Sequence, residues 1–235
     1  MDESRFSDEL GEEYDLFSVV LPHQDLIQKE SVLSLKKGLV GKNNPSVLEI
    51  GFGTGITTKE ILSCIKGINL ISIDNEPKMY ERAKNNLEKT VSDFSFLKMQ
   101  DALSFLKSQP SENLDGIISV WVIHNLLKEE QSDVLKEIFR VLKSGGFFVN
   151  GDKIVVSNKH EYQKDFSWQI DLFNKFSEMK RDDLRILWTE HYKEDADKSR
   201  LIKQDEYKKH LLSIGFRKVS FSNRNHLDVI AVAVK

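Results

Sequence analysis

A buried strand that breaks into a helix through alternate glycines leaves a chain few ways to fold. Val47-Leu48-Glu49-Ile50-Gly51-Phe52-Gly53-Thr54-Gly55 is such a segment. Val47, Leu48 and Ile50 give it the apolar content of a short interior strand. Ile61, Leu62 and Ile65 then recur at helical spacing in the stretch from Ile56 to Ile65. Glycine at the bend lacks the Cβ that would hold a ligand away, and it accepts positive φ. The helix beyond aims unsatisfied N–H groups at the same spot. Such a turn favours a nucleotide-like ligand.

The rest of the chain alternates in the same way. Met1 to Glu13 is polar. Tyr14 to Val40 is amphipathic, and Pro22 divides it into a turn and a following helix. A second strand, Asn69 to Ile73, ends at Asp74. The next helix has Asp74 or Asn75 as its cap and Pro77 near its first turn, and runs to about Lys89. Phe94 to Met99 reads as a third strand, Ala102 to Lys107 as a short helix and Asp115 to Trp121 as a fourth strand. A helix bearing Val134, Leu135, Ile138, Val141 and Leu142 on one face stops at Gly145-Gly146, and Phe147 to Gly151 makes a fifth strand. Ser157 to Lys209 is largely helical and charged. Arg217 to Ser222 and Asp228 to Val234 close the chain as a hairpin. This order predicts an open, mostly parallel sheet with helices on both faces. Ligands of such sheets sit at the carboxyl ends of the strands, where strand order reverses.

Composition limits the partners. The 235 residues carry a formal net charge of -3 with no long basic run, so nucleic acid is not favoured. The single cysteine, Cys64, cannot close an intramolecular disulfide and reads as a small core residue in a reducing compartment. The acidic start (Asp2, Glu3, Asp8, Glu9) is unlike a signal peptide, and no apolar run is long enough to span a membrane. A cytoplasmic protein is expected.

Acidic residues at strand ends sharpen the ligand. Asp74 follows the glycines by about twenty residues, where a carboxylate bonds ribose hydroxyls. Asp101 ends the third strand, where its side chain can accept from an exocyclic adenine amine beside the Ala102 backbone. Either aspartate alone is as readily a turn or helix cap. In order, and behind the glycine loop, they describe an adenosine site. A nicotinamide fingerprint would need glycine three positions after Gly53, and Ile56 stands there.

Glu49-Ile50-Gly51-Phe52-Gly53-Thr54-Gly55, Asp74, Asp101-Ala102, Val120-Trp121 and Gly145-Gly146 together resemble class I S-adenosylmethionine-dependent methyltransferases. The resemblance implies a Rossmann-like, seven-stranded, mostly parallel sheet with helices on both faces and an antiparallel C-terminal hairpin. It implies that Gly51, Gly53, Gly55 and nearby backbone approach the methionine part of the cofactor, with Glu49 orienting the loop. Asp74, with Asn75 beside it, would hold the ribose, and Asp101, Ala102 and Val120 would surround the adenine. The product would be S-adenosylhomocysteine.

The sulfonium is already a good electrophile, so the protein's tasks are positioning and, for a hydroxyl or protonated amine, supplying a base. His124 is the first candidate because it follows strand four at the cofactor rim; His23, His191 and Asp152 come after it. Histidine in the Val122-Ile123-His124-Asn125-Leu126 stretch of comparable family members is often structural, and Asp152 just past strand five could face the pocket but reads first as a cap or a solvated side chain. No metal-ligand set is singled out. A substrate lid is expected from a helical segment over residues 1–40, with Tyr14, Phe17 and His23. An insertion at about 157–209, carrying Trp168, Phe173, Trp188, His191 and Tyr192, would complete it, with residues 41–235 forming the main domain. These aromatics could instead only pack the helices, or bury a homodimer interface. The layout also faintly resembles carboxy-S-adenosylmethionine synthases, which serve tRNA wobble-uridine modification and need an arginine for the added carboxylate; Arg181, Arg185 and Arg200 are the choices. The expected activity is in-line methyl transfer to O, N or C of a small molecule. That carboxy-cofactor enzyme, or a non-catalytic S-adenosylmethionine-binding protein, is the alternative.

Overall fold

The computed structural model describes Leu16, Val19 to Leu21 and residues 23–235. Tyr14, Phe17 and Pro22 lie outside the described residues. The elements are α1 (Gln24–Gly38), β1 (Ser46–Ile50), α2 (Ile56–Cys64), β2 (Asn69–Asp74), α3 (Pro77–Leu87), β3 (Leu97–Met99), α4 (Ala102–Ser108), β4 (Leu114–Val120), α5 (Lys128–Val141) and β5 (Leu142–Val155). There follow α6 (Lys159–Leu172), α7 (Asn174–Glu178), α8 (Asp182–Asp195), β6 (Ile202–Lys203), α9 (Gln204–Ile214), β7 (Lys218–Asn225) and β8 (Asp228–Val234). The sheet order is β3-β2-β1-β4-β5-β8-β7, with β6 pairing β5 off that path. Pairings from β3 to β5 are parallel, whereas β8 runs antiparallel to both β5 and β7. The expected sheet is present, and strand order reverses between β1 and β4.

Each face of the sheet buries its own apolar layer. Leu48, Ile50, Ile117 and Phe148 pack under α4, α5 and α9, joined by Leu106, Leu135, Ile138 and Leu211. Val47, Ile118, Phe147 and Val149 pack on the other side against Ile27, Val32 and Leu35 of α1 and Ile61 of α2. A separate cluster of Val20, Leu21, Phe173, Phe176, Leu184, Trp188 and Tyr192 holds the helical insertion to the end of β5. Among the described residues no helix is long and apolar enough to cross a membrane.

Several boundaries differ from the sequence expectation: β3 starts at Leu97 rather than Phe94, and β7 runs on to Asn225 rather than ending at Ser222. Strand β5 runs from Leu142 to Val155, far beyond Phe147–Gly151, because β8 covers Phe147 to Lys153 and β6 covers Ile154 and Val155. Gly145 and Gly146 therefore do not end the helix. They form a bulge inside β5, where Gly145 has φ +75° and the register with β4 shifts between Leu114 and Gly116. Helix α3 is capped by Glu76, whose side chain accepts from the Lys78 N–H, rather than by Asp74 or Asn75. Strand β6 had no apolar run long enough to announce it.

At the rim opposite the glycine loop, Asp115 ties three strand starts together. Its carboxylate accepts from Lys42 Nζ at 3.1 Å, from the Ser46 N–H at 3.0 Å and from Lys143 Nζ at 2.8 Å. Burial opposes its charge, but these three donors outweigh it and hold the carboxyl at about 2. A carboxyl depressed by folding contributes stability above its unfolded value, and that stability is lost as pH falls through the folded one. The Asp115→Asn protein should therefore lose about 1–2 kcal/mol at neutral pH, after allowing for the solvent-screened lysines. Urea titrations should show the deficit closing as pH falls from about 4 toward about 2. A deficit that stays constant over that window contradicts the assignment.

Candidate active site

The three glycines of the loop all have positive φ, yet for different reasons. A Cβ on Gly51 (φ +75°) would sit 2.2 Å from Val122 Cγ2, and one on Gly55 (φ +83°) would press on Ala83 and Leu87 at 3.3 Å. Packing explains both. A Cβ on Gly53 (φ +51°) would meet nothing within 4 Å. This glycine borders open space, the condition for close approach of a ligand to backbone.

The Gly53 N–H donates to Asp74 Oδ2 at 2.8 Å, while Asp74 Oδ1 accepts the Glu76 N–H at 2.9 Å. The carboxylate at the end of β2 thus fixes the glycine loop, and each oxygen keeps a further lone pair for a hydroxyl. Burial raises the Asp74 pKa, partly countered by those backbone donors. Asn75 is exposed beside it. Asp101 is exposed and caps α4 by accepting the Ser104 N–H at 2.9 Å. Ala102 opens that helix and Val120 ends β4, both half-buried.

Behind the loop, Glu49 is 1% exposed. Its Oε2 accepts from Thr58 Oγ1 at 2.8 Å and Ser72 Oγ at 2.6 Å, whereas Oε1 is buried with no hydrogen-bond partner. Burial drives its pKa up to about 7, against the two hydroxyls. A buried, half-satisfied carboxyl behind a loop that opens on space fits a ligand carrying a cationic or N–H donor group.

The rim between β4 and α5 is built by Trp121 to Asn125. Trp121 has φ +56°, an unfavourable conformation for a bulky residue. It is held there on three sides. Its N–H donates to the Gly151 carbonyl at 2.8 Å, its carbonyl accepts from Asn125 Nδ2 at 3.1 Å, and its indole N–H donates to Asp228 Oδ1 at 2.9 Å. His23 Nε2 meets the other oxygen of Asp228 at 2.8 Å, so the segment before α1 is anchored to the C-terminal hairpin.

His124 follows on a 3-10 turn and is buried. Its Nδ1 lies 2.5 Å from Asp152 Oδ1, and its own N–H donates to Asp152 Oδ2 at 3.2 Å. With Nδ1–H facing that carboxylate, Nε2 is the nitrogen left to exchange a proton. It points toward Asp195 Oδ2 at 3.7 Å, an oxygen that also holds Lys153 Nζ at 2.7 Å. His191 Nε2 approaches the same oxygen at 3.9 Å. His124, Lys153 and Asp195 line a small cavity of about 20 Å³ with Tyr162 and Tyr192 in its wall.

Asp152 is thus neither a cap nor solvated; it is fully buried inside β5 and orients His124. Trp188, 1% exposed, lies in the apolar cluster of the insertion with its ring 5.4 Å from that of His191. Tyr192 and His124 reach the pocket, whereas Tyr14 lies outside the described residues. Lys153, Tyr162 and Asp195 were not singled out from sequence. For Asp195 the signal existed, since it stands four residues after His191 on one helix.

Residues 47–146 match the family described as a methyltransferase domain. The match is confined to that segment, less than half of the 235 residues. A methyltransferase of Oceanobacillus iheyensis, uncharacterized, is 29% identical over 160 residues, covering 68% of this chain and 64% of that one. The carboxy-S-adenosyl-L-methionine synthase of Campylobacter fetus is 26% identical over 145 residues, covering 62% and 59%. Matches to the first two curated relatives cover 64% and 54% of their lengths, so the chain spans between about half and two thirds of them. Among solved structures, a SAM-dependent methyltransferase from Archaeoglobus fulgidus superposes with TM-score 0.61 at 16% identity, over 94% of this chain and 99% of that one. The shared fold is that of class I methyltransferases, and His124 is the pocket-lining residue that falls inside the matched domain.

The raised Glu49 carboxyl gives a sign that can be tested. The folded state binds a proton more tightly than the unfolded chain, so stability without ligand falls as pH rises from about 4.5 through about 7. Glu49→Gln should remove that decline and be more stable than the parent at pH above 7, by at most about 3 kcal/mol. Parallel stability–pH curves for the two proteins in urea contradict it.

Proposed function

We propose that this chain transfers a methyl group from S-adenosylmethionine to a small-molecule acceptor. The observation that carries the reading is the Gly53–Asp74 pair: a glycine open to space, tied by its N–H to a carboxylate with acceptor capacity to spare. Asp74 would accept the ribose hydroxyls, with Asn75 beside it. Ala102 and Val120 would flank the adenine, and Asp101, whose Oδ1 already caps α4, keeps Oδ2 for an amine. Glu49 Oε1 would take the amino group of the methionine part, directly or through water, which relieves the cost of a buried unsatisfied carboxyl. The bound cofactor supplies a sulfonium methyl as electrophile. Gly51, Gly53 and Gly55 let the backbone approach it. His124, oriented by Asp152, takes the acceptor's proton, while the helices of 157–209 and the segment bearing His23 exclude water as a lid.

The likeness to the Campylobacter fetus synthase supports the carboxy-cofactor reading. Arg181 and Arg185 place their guanidinium groups on Asp183 and Asp182, at the start of α8, and Arg200 donates to the Asn125 carbonyl. Mass spectrometry of the ligand that copurifies with the protein separates the two: plain S-adenosylmethionine or S-adenosylhomocysteine supports methyl transfer, and the carboxylated cofactor overturns it.

Asp74→Ala should weaken S-adenosylmethionine binding by about 1–3 kcal/mol in calorimetry, the cost of leaving buried polar groups unpaired. Unchanged affinity removes Asp74 from the site. Once an acceptor is found by formation of S-adenosylhomocysteine across a metabolite panel, His124→Ala should lower kcat by about 10²–10⁴-fold. Binding without turnover of any panel member favours a cofactor sensor instead.

A further inference from the structure

Helices α5 and α9 lead into β5 and β7, two strands that both run antiparallel to β8 and therefore run the same way as each other. The helices lie side by side with their N-termini at one end, where Lys128 in the first turn of α5 comes within 3.8 Å of Glu206 in the first turn of α9. Between their opening turns is a cavity of about 210 Å³, floored by β6. An apolar cavity of about 150 Å³ is enough to admit benzene. This one has room for a single ring with a substituent. It shares no residue with the glycine loop, and Leu201 and Ile202, which line both, part it from the small cavity at His124.

The walls set the chemistry. Leu135, Leu201, Ile202 and the Tyr207 ring make the apolar part. The Tyr207 hydroxyl is taken up by Asn150 Nδ2 of β5 at 3.1 Å, which leaves the ring as that residue's contribution. At the mouth stand Lys128 and Lys203, with one carboxylate, Glu206, for the two of them. Glu206 accepts from Lys203 Nζ at 3.1 Å, whereas Lys128 at 3.8 Å is beyond hydrogen-bonding distance and keeps its N–H donors. One positive charge is left over, and the partial positive charges of two helix N-termini add to it. Ser132, one turn on from Lys128, has a hydroxyl with no partner among the described residues. At the other end His210 has a buried Nε2 with no hydrogen-bond partner. Burial, and then Lys136, lower the His210 pKa, so the ring is neutral at pH 7 and offers one donor and one acceptor, the pair a hydroxyl uses.

We propose that this cavity binds a small one-ring carboxylic acid, its carboxylate on Lys128 and Ser132, its ring against Leu135 and Ile202, and a hydroxyl at its far edge on His210. The surplus positive charge refuses an amine, and a neutral amide gains little from it. The site is separate from the glycine loop and does not rest on the methyl-transfer reading.

The probe is 4-hydroxybenzoate, titrated into the full chain by NMR that follows the carbon-bound ring protons of histidine. The His210 signals, identified by their loss in His210→Gln, should shift and saturate. The acid should bind more tightly than 4-hydroxybenzamide or 4-hydroxybenzylamine by about tenfold or more, as expected for one charge-assisted hydrogen bond. Lys128→Met should bring the acid down to the level of the amide, and Ser132→Trp, which fills the cavity from its mouth, should abolish binding. Saturating S-adenosylhomocysteine should leave the titration unchanged. No saturable shift at His210, equal or tighter binding of the amide or the amine, or displacement by S-adenosylhomocysteine overturns the proposal. The wild-type titration decides it even if a variant does not fold. A failure of S-adenosylhomocysteine to bind at all counts against the methyl-transfer reading alone.

Discussion

The hydrogen bond from Gly53 to Asp74 is the constraint on which the glycine-loop half of the molecule depends. It joins the loop after β1 to the end of β2, two strands already in parallel register, and so fixes where backbone and carboxylate face a ligand together. Glycine is needed at position 53 for open space, and an acid is needed at 74 to hold the loop. Neither requirement comes from core packing. The same bond places the start of α2, so its position propagates to Thr58, which reaches back to the buried Glu49.

On the other side of the β4–α5 turn the organising contact is His124 with Asp152. It exists because β5 continues past the end of β4, so that Asp152 and Lys153, still paired with β8, have no β4 neighbour and face the insertion. The hairpin β7–β8 makes that overhang possible by covering the strand's other edge as far as Lys153. Its Asp228 also pins Trp121 and His23, so the strained turn at the rim is stabilised from the C-terminus of the chain. The glycine loop and the cavity lined by His124 meet on one turn, where Val122 packs on Gly51 and His124 follows two residues on.

The sequence made the fold legible wherever apolar periodicity and glycine coincided: β1, the loop, α2, β2 and β4 lie within a residue or two of expectation. Asp74 and Glu49 were legible for the same reason, as polar residues at fixed offsets from a strand end. The length of β5 was not, because a strand's extent depends on which partners cover its edges, and Gly145-Gly146 read as a helix stop when they form a bulge. The pocket escaped for a related reason. Lys153 and Asp195 stand about forty residues apart and look like ordinary surface charges until the insertion folds over β5 and buries them as a pair. Trp188 illustrates the reverse: a residue expected at the lid's working surface is instead part of what holds the lid together.

The most direct measurement is a crystal structure of the protein soaked with S-adenosylhomocysteine. The ribose hydroxyls should lie on Asp74, the chain of the amino acid should pass over Gly53, and the thioether should face the turn that carries His124. An empty cleft at saturating ligand, or the nucleoside bound with Asp74 still facing only backbone, would contradict the account.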